Sequence, residues 1–332
     1  MSRIIRNLDA ISKKNVALAG GKGASLGEMM HAGIPVPPGF VVLTAAFDRF
    51  LDEAKLSEEL DAILDHEVNR EEMQTVDFAS EKIQGLIRAA EMPKDIAAAI
   101  IENFKKLGAK YVAVRSSATA EDSSTAAWAG QLESYLNTTE ETLLENVQKC
   151  WASLFTPRAI FYRVEKGMHG KKISVAVIVQ EMIESEFSGI AFSVHPVTED
   201  RNQIIIEAAF GLGEAIVSGQ ITPDSYVVEK TPRRIIDKKI TVQTRGLYRA
   251  TNSNGNEWRE LSEGEGRKPT LSDEQTMELA ELGLKIEKHY GAPQDIEWAY
   301  ATSPEPVEGE KGRFYIVQSR PITTLNHEKS IE

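Results

Sequence analysis

At residue 173 the hydrophobic pattern of this chain changes period, and that change limits what it can fold into. Before it, apolar side chains recur at helical spacing. Phe47, Phe50 and Leu51 fall on one face after Thr44, a residue suited to cap a helix. Residues 56 to 107 are charge-rich and helical, with Ile83, Leu86 and Ile87, then Ile96, Ile100 and Phe104, as apolar positions. Thr138 with Glu141 three residues on has the form of a capping box, and Pro157 interrupts the helix that follows. From 173 onward the runs are short and strand-like: ISVAVIV, SGIAFSV, QIIIEAA and SYVVEK. A polar stretch from 253 to 269 reads as a surface excursion, and a helix is expected over about 272 to 290. The strands DIEWAY and RFYIVQSR close the pattern. The expectation is an α+β chain with a helix-rich front and a strand-rich back.

The first forty residues read as strand, glycine turn, short helix, a turn at Pro35, Pro37 and Pro38, and then a strand. The glycine turn holds Gly21-Lys22-Gly23. A phosphate loop of the form G-x-x-x-x-G-K-[ST] is excluded, because Val16 occupies the first glycine position and Gly23 the hydroxyl position. Lys22 can bind phosphate through another architecture, or it can be a solvated lysine in an ordinary turn. Arg115 ends the short strand YVAV ahead of Ser116 and Ser117. It can grip a phosphate in bidentate fashion or serve a structural ion pair. The small-residue stretch through Gly130 and Gln131 is too poor in large apolar side chains for a core. It is either an anion-covering loop or a plain surface loop.

The back half carries the sharper signal. In Asp295-Ile296-Glu297 the carboxylates alternate across Ile296 and share one face of a strand; Gln318 and Arg320 alternate across Ser319 in the same way. If the two strands pair, one surface presents two carboxylates, an amide oxygen and a guanidinium. Mg²⁺–nucleotide chemistry uses that combination; the bland alternative is a solvated charged sheet. Gln180, Glu181 and Met182 end the most apolar strand, where a connector can offer backbone groups to a base. The six histidines show no metal-ligand spacing.

Composition narrows the classes. A net charge of −12 argues against broad nucleic-acid or membrane-surface binding. The single cysteine, Cys150, can form no intrachain disulfide, so a reducing cytoplasm is the expected compartment. The N-terminus lacks the apolar core of a signal peptide, and Ile173–Val179, the longest apolar run, is too short to span a bilayer.

Taken together, GGKGASLGEM…GIPVPPGFV, YVAVRSSATAEDSS…AGQLESYLN, VIVQEMI…SGIAFSVHP, AAFGLGEAIVSGQITPD, APQDIEWA and IVQSRPIT closely resemble the nucleotide-binding domain of phosphoenolpyruvate synthases. Pyruvate, phosphate dikinases and rifamycin phosphotransferases share that domain. The resemblance runs from about residue 4 to 325. It implies an ATP-grasp fold whose two lobes enclose a nucleotide cleft: residues 1–183 with Lys22 and Arg115, residues 184–325 with the metal and phosphate strands, and a tail or linker over 326–332. It implies ATP and Mg²⁺ as ligands. Lys22 and Arg115 would bind phosphates, Gly130 and Gln131 would lie in the covering loop, and Gln180 to Ile183 would meet the adenine. Glu297 and Gln318 would hold Mg²⁺ with Asp295 in support, and Arg320 would contact the transferred phosphate.

In the full-length family a second domain carries the phosphohistidine and a barrel domain passes phosphate to pyruvate. No histidine here lies in the family's Thr-Cys-Gly-Gly-like surroundings, so those domains are expected as partners, in a longer chain or a separate polypeptide. An antibiotic phosphotransferase, or a nucleotide-binding module with no transfer role, are the competing implications.

Overall fold

The computed structural model describes residues 4–69, 71–119, 133–165, 167–168, 173–251, 255–302, 312–323 and 325. The chain is α+β and divides into two units. Unit 1 comprises residues 1–31 and 38–182; unit 2 comprises 32–37 and 183–332. The front lobe expected over 1–183 therefore differs from unit 1 by the six-residue segment Ala32–Pro37 and by Ile183, all of which group with unit 2. The expected tail over 326–332 lies outside the described residues.

Unit 1 contains β1 (Ile5–Asn7), α1 (Val16–His31), β2 (Gly39–Val42), α2 (Thr44–Glu53), α3 (Ser57–His66), α4 (Met73–Ala89), α5 (Lys94–Leu107), β3 (Val112–Ala118), β4 (Ser134–Thr138), α6 (Glu140–Ala152), α7 (Pro157–Glu165) and β5 (Val175–Glu181). The strands form one sheet in the order β1-β2-β5-β3-β4. One face of it buries Val42, Val112, Val114, Val175, Val177 and Val179. These pack in a core with the apolar sides of the helices, including Phe47, Ile83, Ile100 and Val147. Trp151 of α6 anchors this core with its ring 4.9 Å from that of Phe50. The opposite face lies under α1: a Cβ on Gly23 would meet Val41 at 3.6 Å and Ile178 at 3.8 Å. Cys150 is fully buried, and burial pushes its thiol up to about 12.

Three local expectations shift. The glycine turn is a kink at a single residue, Gly20, inside α1 rather than a turn between strand and helix; Gly20 has φ 68° and ψ 173°. Thr44 does not cap α2. It is the first helical residue, and its hydroxyl donates to the Ala17 carbonyl at 3.1 Å. The cap of α6 is Thr139, whose N–H donates to Thr142 Oγ1 at 3.1 Å, while Thr138 closes β4. Pro157 opens α7 as its first residue, where a missing N–H costs nothing.

Unit 2 contains β6 (Phe187–Phe192), β7 (Gln203–Phe210), α8 (Glu214–Val217), β8 (Asp224–Glu229), β9 (Arg234–Lys239), β10 (Arg245–Arg249), β11 (Asn256–Glu260), α9 (Glu263–Gly266), α10 (Asp273–Tyr290), β12 (Gln294–Ala301) and β13 (Arg313–Pro321). Its main sheet is antiparallel with the order β13-β12-β6-β7-β8-β9. α10 starts at a Ser272–Gln275 capping box and stops at Gly291 in the left-handed region, as its sequence suggests. It lies on the face that buries Ile296, Ile206 and Tyr226; a Cβ on Gly283 would sit 3.7 Å from Ile296. Asp224, from the TPD stretch, is a buried structural carboxylate. It accepts the N–H of Thr241 at 2.8 Å and both the N–H and the hydroxyl of Thr270, at 2.8 and 2.7 Å.

The surface excursion expected over 253–269 is in part regular structure. β11 pairs with β10 as a hairpin and α9 follows. Its strands are short and charged; β10 buries Leu247, and a cation–π contact crosses the pair, with the Arg245 guanidinium 4.1 Å from the Trp258 ring centre. The exposed edge strand β9 was also not expected from the sequence.

Candidate functional site

In unit 1 the kink at Gly20 is set by Ser117. A side chain at Gly20 would lie 2.2 Å from both the Ser117 carbonyl oxygen and its hydroxyl, and the φ of +68° favours glycine independently. The Ser117 hydroxyl donates to the Ala19 carbonyl at 2.8 Å and accepts the Gly23 N–H at 3.1 Å, so it holds the chain on both sides of Lys22. Lys22 in turn donates from Nζ to the Ser116 carbonyl at 3.3 Å. Arg115 and Ser117 are two residues apart on β3 and therefore share the face that α1 covers. Arg115 stands opposite Ile178 of β5, which contributes to that same face. The two cations nominated from sequence are thus held against one surface, half-buried, by the Arg-Ser-Ser run between them. The other serine, Ser116, points to the opposite side, where its hydroxyl lies 2.8 Å from that of Ser153.

The end of β5 is more constrained than the sequence suggests. The Glu181 N–H donates to the Pro38 carbonyl at 2.9 Å and the Met182 N–H to the Tyr111 carbonyl at 3.1 Å. Gln180 is buried opposite Gly39 and Ala113. Backbone recognition of a base through the N–H groups of Glu181 and Met182 would therefore break sheet hydrogen bonds. The Ile183 carbonyl accepts from the Ser185 N–H at 3.0 Å. Gly130 and Gln131 lie outside the described residues.

In unit 2 the two strands nominated from alternation do pair. Glu297 stands opposite Gln318, and Asp295 opposite Arg320. Gln318 Nε2 donates to Glu297 Oε1 at 3.2 Å; Arg320 donates to Asp295 Oδ2 from Nε at 2.9 Å, with Nη2 at 2.7 Å from the same oxygen. The two head groups are adjacent, with the Gln318 amide nitrogen, a donor, facing the carboxylate; a cation held by both would take the amide oxygen, with that head group turned over. Among the described residues no group of three or more His, Cys, Asp or Glu is close enough to hold a metal ion. A cation here would need further oxygens, which is how Mg²⁺ is held on nucleotides.

Glu207 escaped the sequence reading. It lies in the row Gln318–Glu297–Ile190–Glu207 that runs across β13, β12, β6 and β7, and so shares the face of the nominated residues. Burial holds its carboxyl above the usual range. Alternation within QIIIEAA places it, but only the strand order brings it to this face.

Sequence comparison supplies an independent line. Residues 16–332 match the family model described as pyruvate phosphate dikinase, AMP/ATP-binding domain. A probable phosphoenolpyruvate synthase of Methanocaldococcus jannaschii is 45% identical over 335 residues, covering 98% of this chain and 27% of the relative. The phosphoenolpyruvate synthase of Pyrococcus furiosus is 40% identical, covering 99% and 45% respectively. The rifampicin phosphotransferase of Bacillus subtilis is 39% identical, covering 98% and 36%. The chain thus spans between about a quarter and a half of these relatives' length. Among the described residues no helix is long and apolar enough to cross a membrane.

Proposed function

Because the chain belongs to the pyruvate phosphate dikinase AMP/ATP-binding family, we propose that it binds ATP with Mg²⁺ and delivers the two terminal phosphates, as a pyrophosphoryl group, to a histidine on another domain. Water there releases the outer one as phosphate and leaves a phosphohistidine. That domain would then phosphorylate pyruvate, so that ATP, pyruvate and water become AMP, phosphoenolpyruvate and phosphate. The observation that carries the reading is the opposed pair Glu297–Gln318, with Arg320 and Asp295 two residues along the same strands.

In this reading Lys22 and Arg115 take the phosphates, with Ser117 keeping the Lys22 kink in shape. Glu297 and Gln318 hold Mg²⁺, which would neutralise charge on the phosphate oxygens. Asp295 orients the Arg320 guanidinium toward the transferred group. These residues position and stabilise charge, and none of them needs to form a covalent bond. The 39% identity to the rifampicin phosphotransferase supports a second reading with the same ATP chemistry and an antibiotic as final acceptor.

The metal assignment has a direct test. ATP titrated calorimetrically into the isolated chain is expected to bind tightly with Mg²⁺ or Mn²⁺ and at least tenfold more weakly in EDTA. Equal affinity in the two buffers would remove the metal from Glu297 and Gln318.

A further inference from the structure

The motif GIPVPPGF has no task in the reading above, yet its first part occupies an unusual place. Ala32–Pro37 is flanked on both sides by unit 1 but groups with unit 2. Gly33, with φ +67°, takes the chain out of α1, a conformation other residues adopt at a cost. Ile34 and Val36 are then buried at alternate positions, 4% and 8% exposed. Between them the Pro35 carbonyl accepts the Ile316 N–H at 2.7 Å, and Lys285 of α10 donates to the Gly33 carbonyl at 2.9 Å.

Ile316 is a telling place for that bond. Among the described residues β13 is the terminal strand of its sheet, with β12 as its one neighbour in the ladder. The β12–β13 register shifts between Glu297 and Trp298: Glu297 faces Gln318 while Trp298 faces Ile316, so Val317 is the extra residue of a bulge. A bulge weakens the ladder, and a slip of one residue would turn Gln318 to the other face of the sheet. The Pro35 bond holds β13 from its open edge at the residue next to the bulge, two positions before Gln318.

We propose that Ala32–Pro37 is a positioning strap for β13, holding the bulged register in which Gln318 stands opposite Glu297. Pro35, through its carbonyl, and Ile34 and Val36, through their burial, are positioning residues; they touch neither nucleotide nor metal. This rests on the reading that Glu297 and Gln318 hold Mg²⁺.

The test uses the chain with Ile34→Ala and Val36→Ala together, and a milder Lys285→Met variant in case the first folds poorly. Hydrogen exchange at the Ile316 amide reports whether the strap is loosened. Mn²⁺ binding in the presence of ATP, followed by electron paramagnetic resonance, reports the metal site, and ATP affinity in EDTA reports the phosphate residues of unit 1. The expected result is exchange at least tenfold faster at Ile316, Mn²⁺ bound at least fivefold more weakly, and ATP affinity in EDTA unchanged. A merely structural strap would speed exchange and lower the urea midpoint while leaving Mn²⁺ affinity as in the parent chain, and that outcome overturns the proposal. Absence of Mn²⁺ binding by the parent chain would instead overturn the metal reading, and with it the strap's function, so the two failures are distinguishable.

Discussion

Incubated with ATP, Mg²⁺ and pyruvate, the isolated chain is expected to form no AMP in a pyruvate-dependent manner. The family resemblance puts the phosphoryl-accepting histidine on a separate domain, and two of the described histidines here, His31 and His195, are tied into local hydrogen bonds. His31 Nε2 lies 2.6 Å from the Asp9 carbonyl oxygen. His195 Nδ1 accepts the N–H groups of Val197 and Thr198, each at 3.2 Å, and so shapes its own turn. His66 ends α3, and His169 and His327 lie outside the described residues. Adding the family's histidine and barrel domains as a separate polypeptide is expected to restore weak turnover, because two separate chains lack the effective concentration that a linker provides. Quantifying AMP and phosphoenolpyruvate together checks this. Repeated, stoichiometric production of both by the chain alone would mean that one of its own histidines is the carrier.

Lys22→Ala is expected to weaken ATP binding by about 1–3 kcal/mol, the range for losing one partner of a charge-assisted hydrogen bond. That corresponds to roughly 5- to 150-fold in affinity. AMP should change much less, because the lysine is assigned to the distal phosphates. The fold should tolerate the change: Lys22 is half-exposed, and Ser117 holds the kink through Ala19 and Gly23 whether or not the lysine is present. Parallel titrations with ATP and AMP make the comparison. Equal losses for both nucleotides would place Lys22 away from the distal phosphates.

The candidate site residues of unit 2 are legible because the period of a strand is two. Asp295 with Glu297, and Gln318 with Arg320, needed only alternation and the assumption that their strands pair, and the structure pairs them. Lys22 and Arg115 were legible as residue types, but not the reason they are held together, since Ser117 is an ordinary residue until the fold sets it under Gly20. Glu207 could not be placed, because its approach to Glu297 depends on β6 lying between β12 and β7. The cap of α6 was misplaced by one position because Thr138 and Thr139 are chemically equal and only strand β4 decides between them. The β10–β11 hairpin was hidden by its charge, and the strap by its prolines, which read as a turn although Ile34 and Val36 are buried.

The central claim is that the opposed pair on β12 and β13 makes ATP binding metal-dependent. The most direct measurement is the affinity for ATP, in Mg²⁺ and in EDTA, of the parent chain, Lys22→Ala and Glu297→Gln. Gln keeps the shape of Glu297 but replaces the site's anionic oxygen ligand with a neutral one, which holds a hard cation more weakly. The account predicts that Lys22→Ala lowers affinity yet stays Mg²⁺-dependent, whereas Glu297→Gln binds ATP with nearly the same affinity in both buffers. A Glu297→Gln variant that keeps the full Mg²⁺ dependence of the parent chain would contradict it.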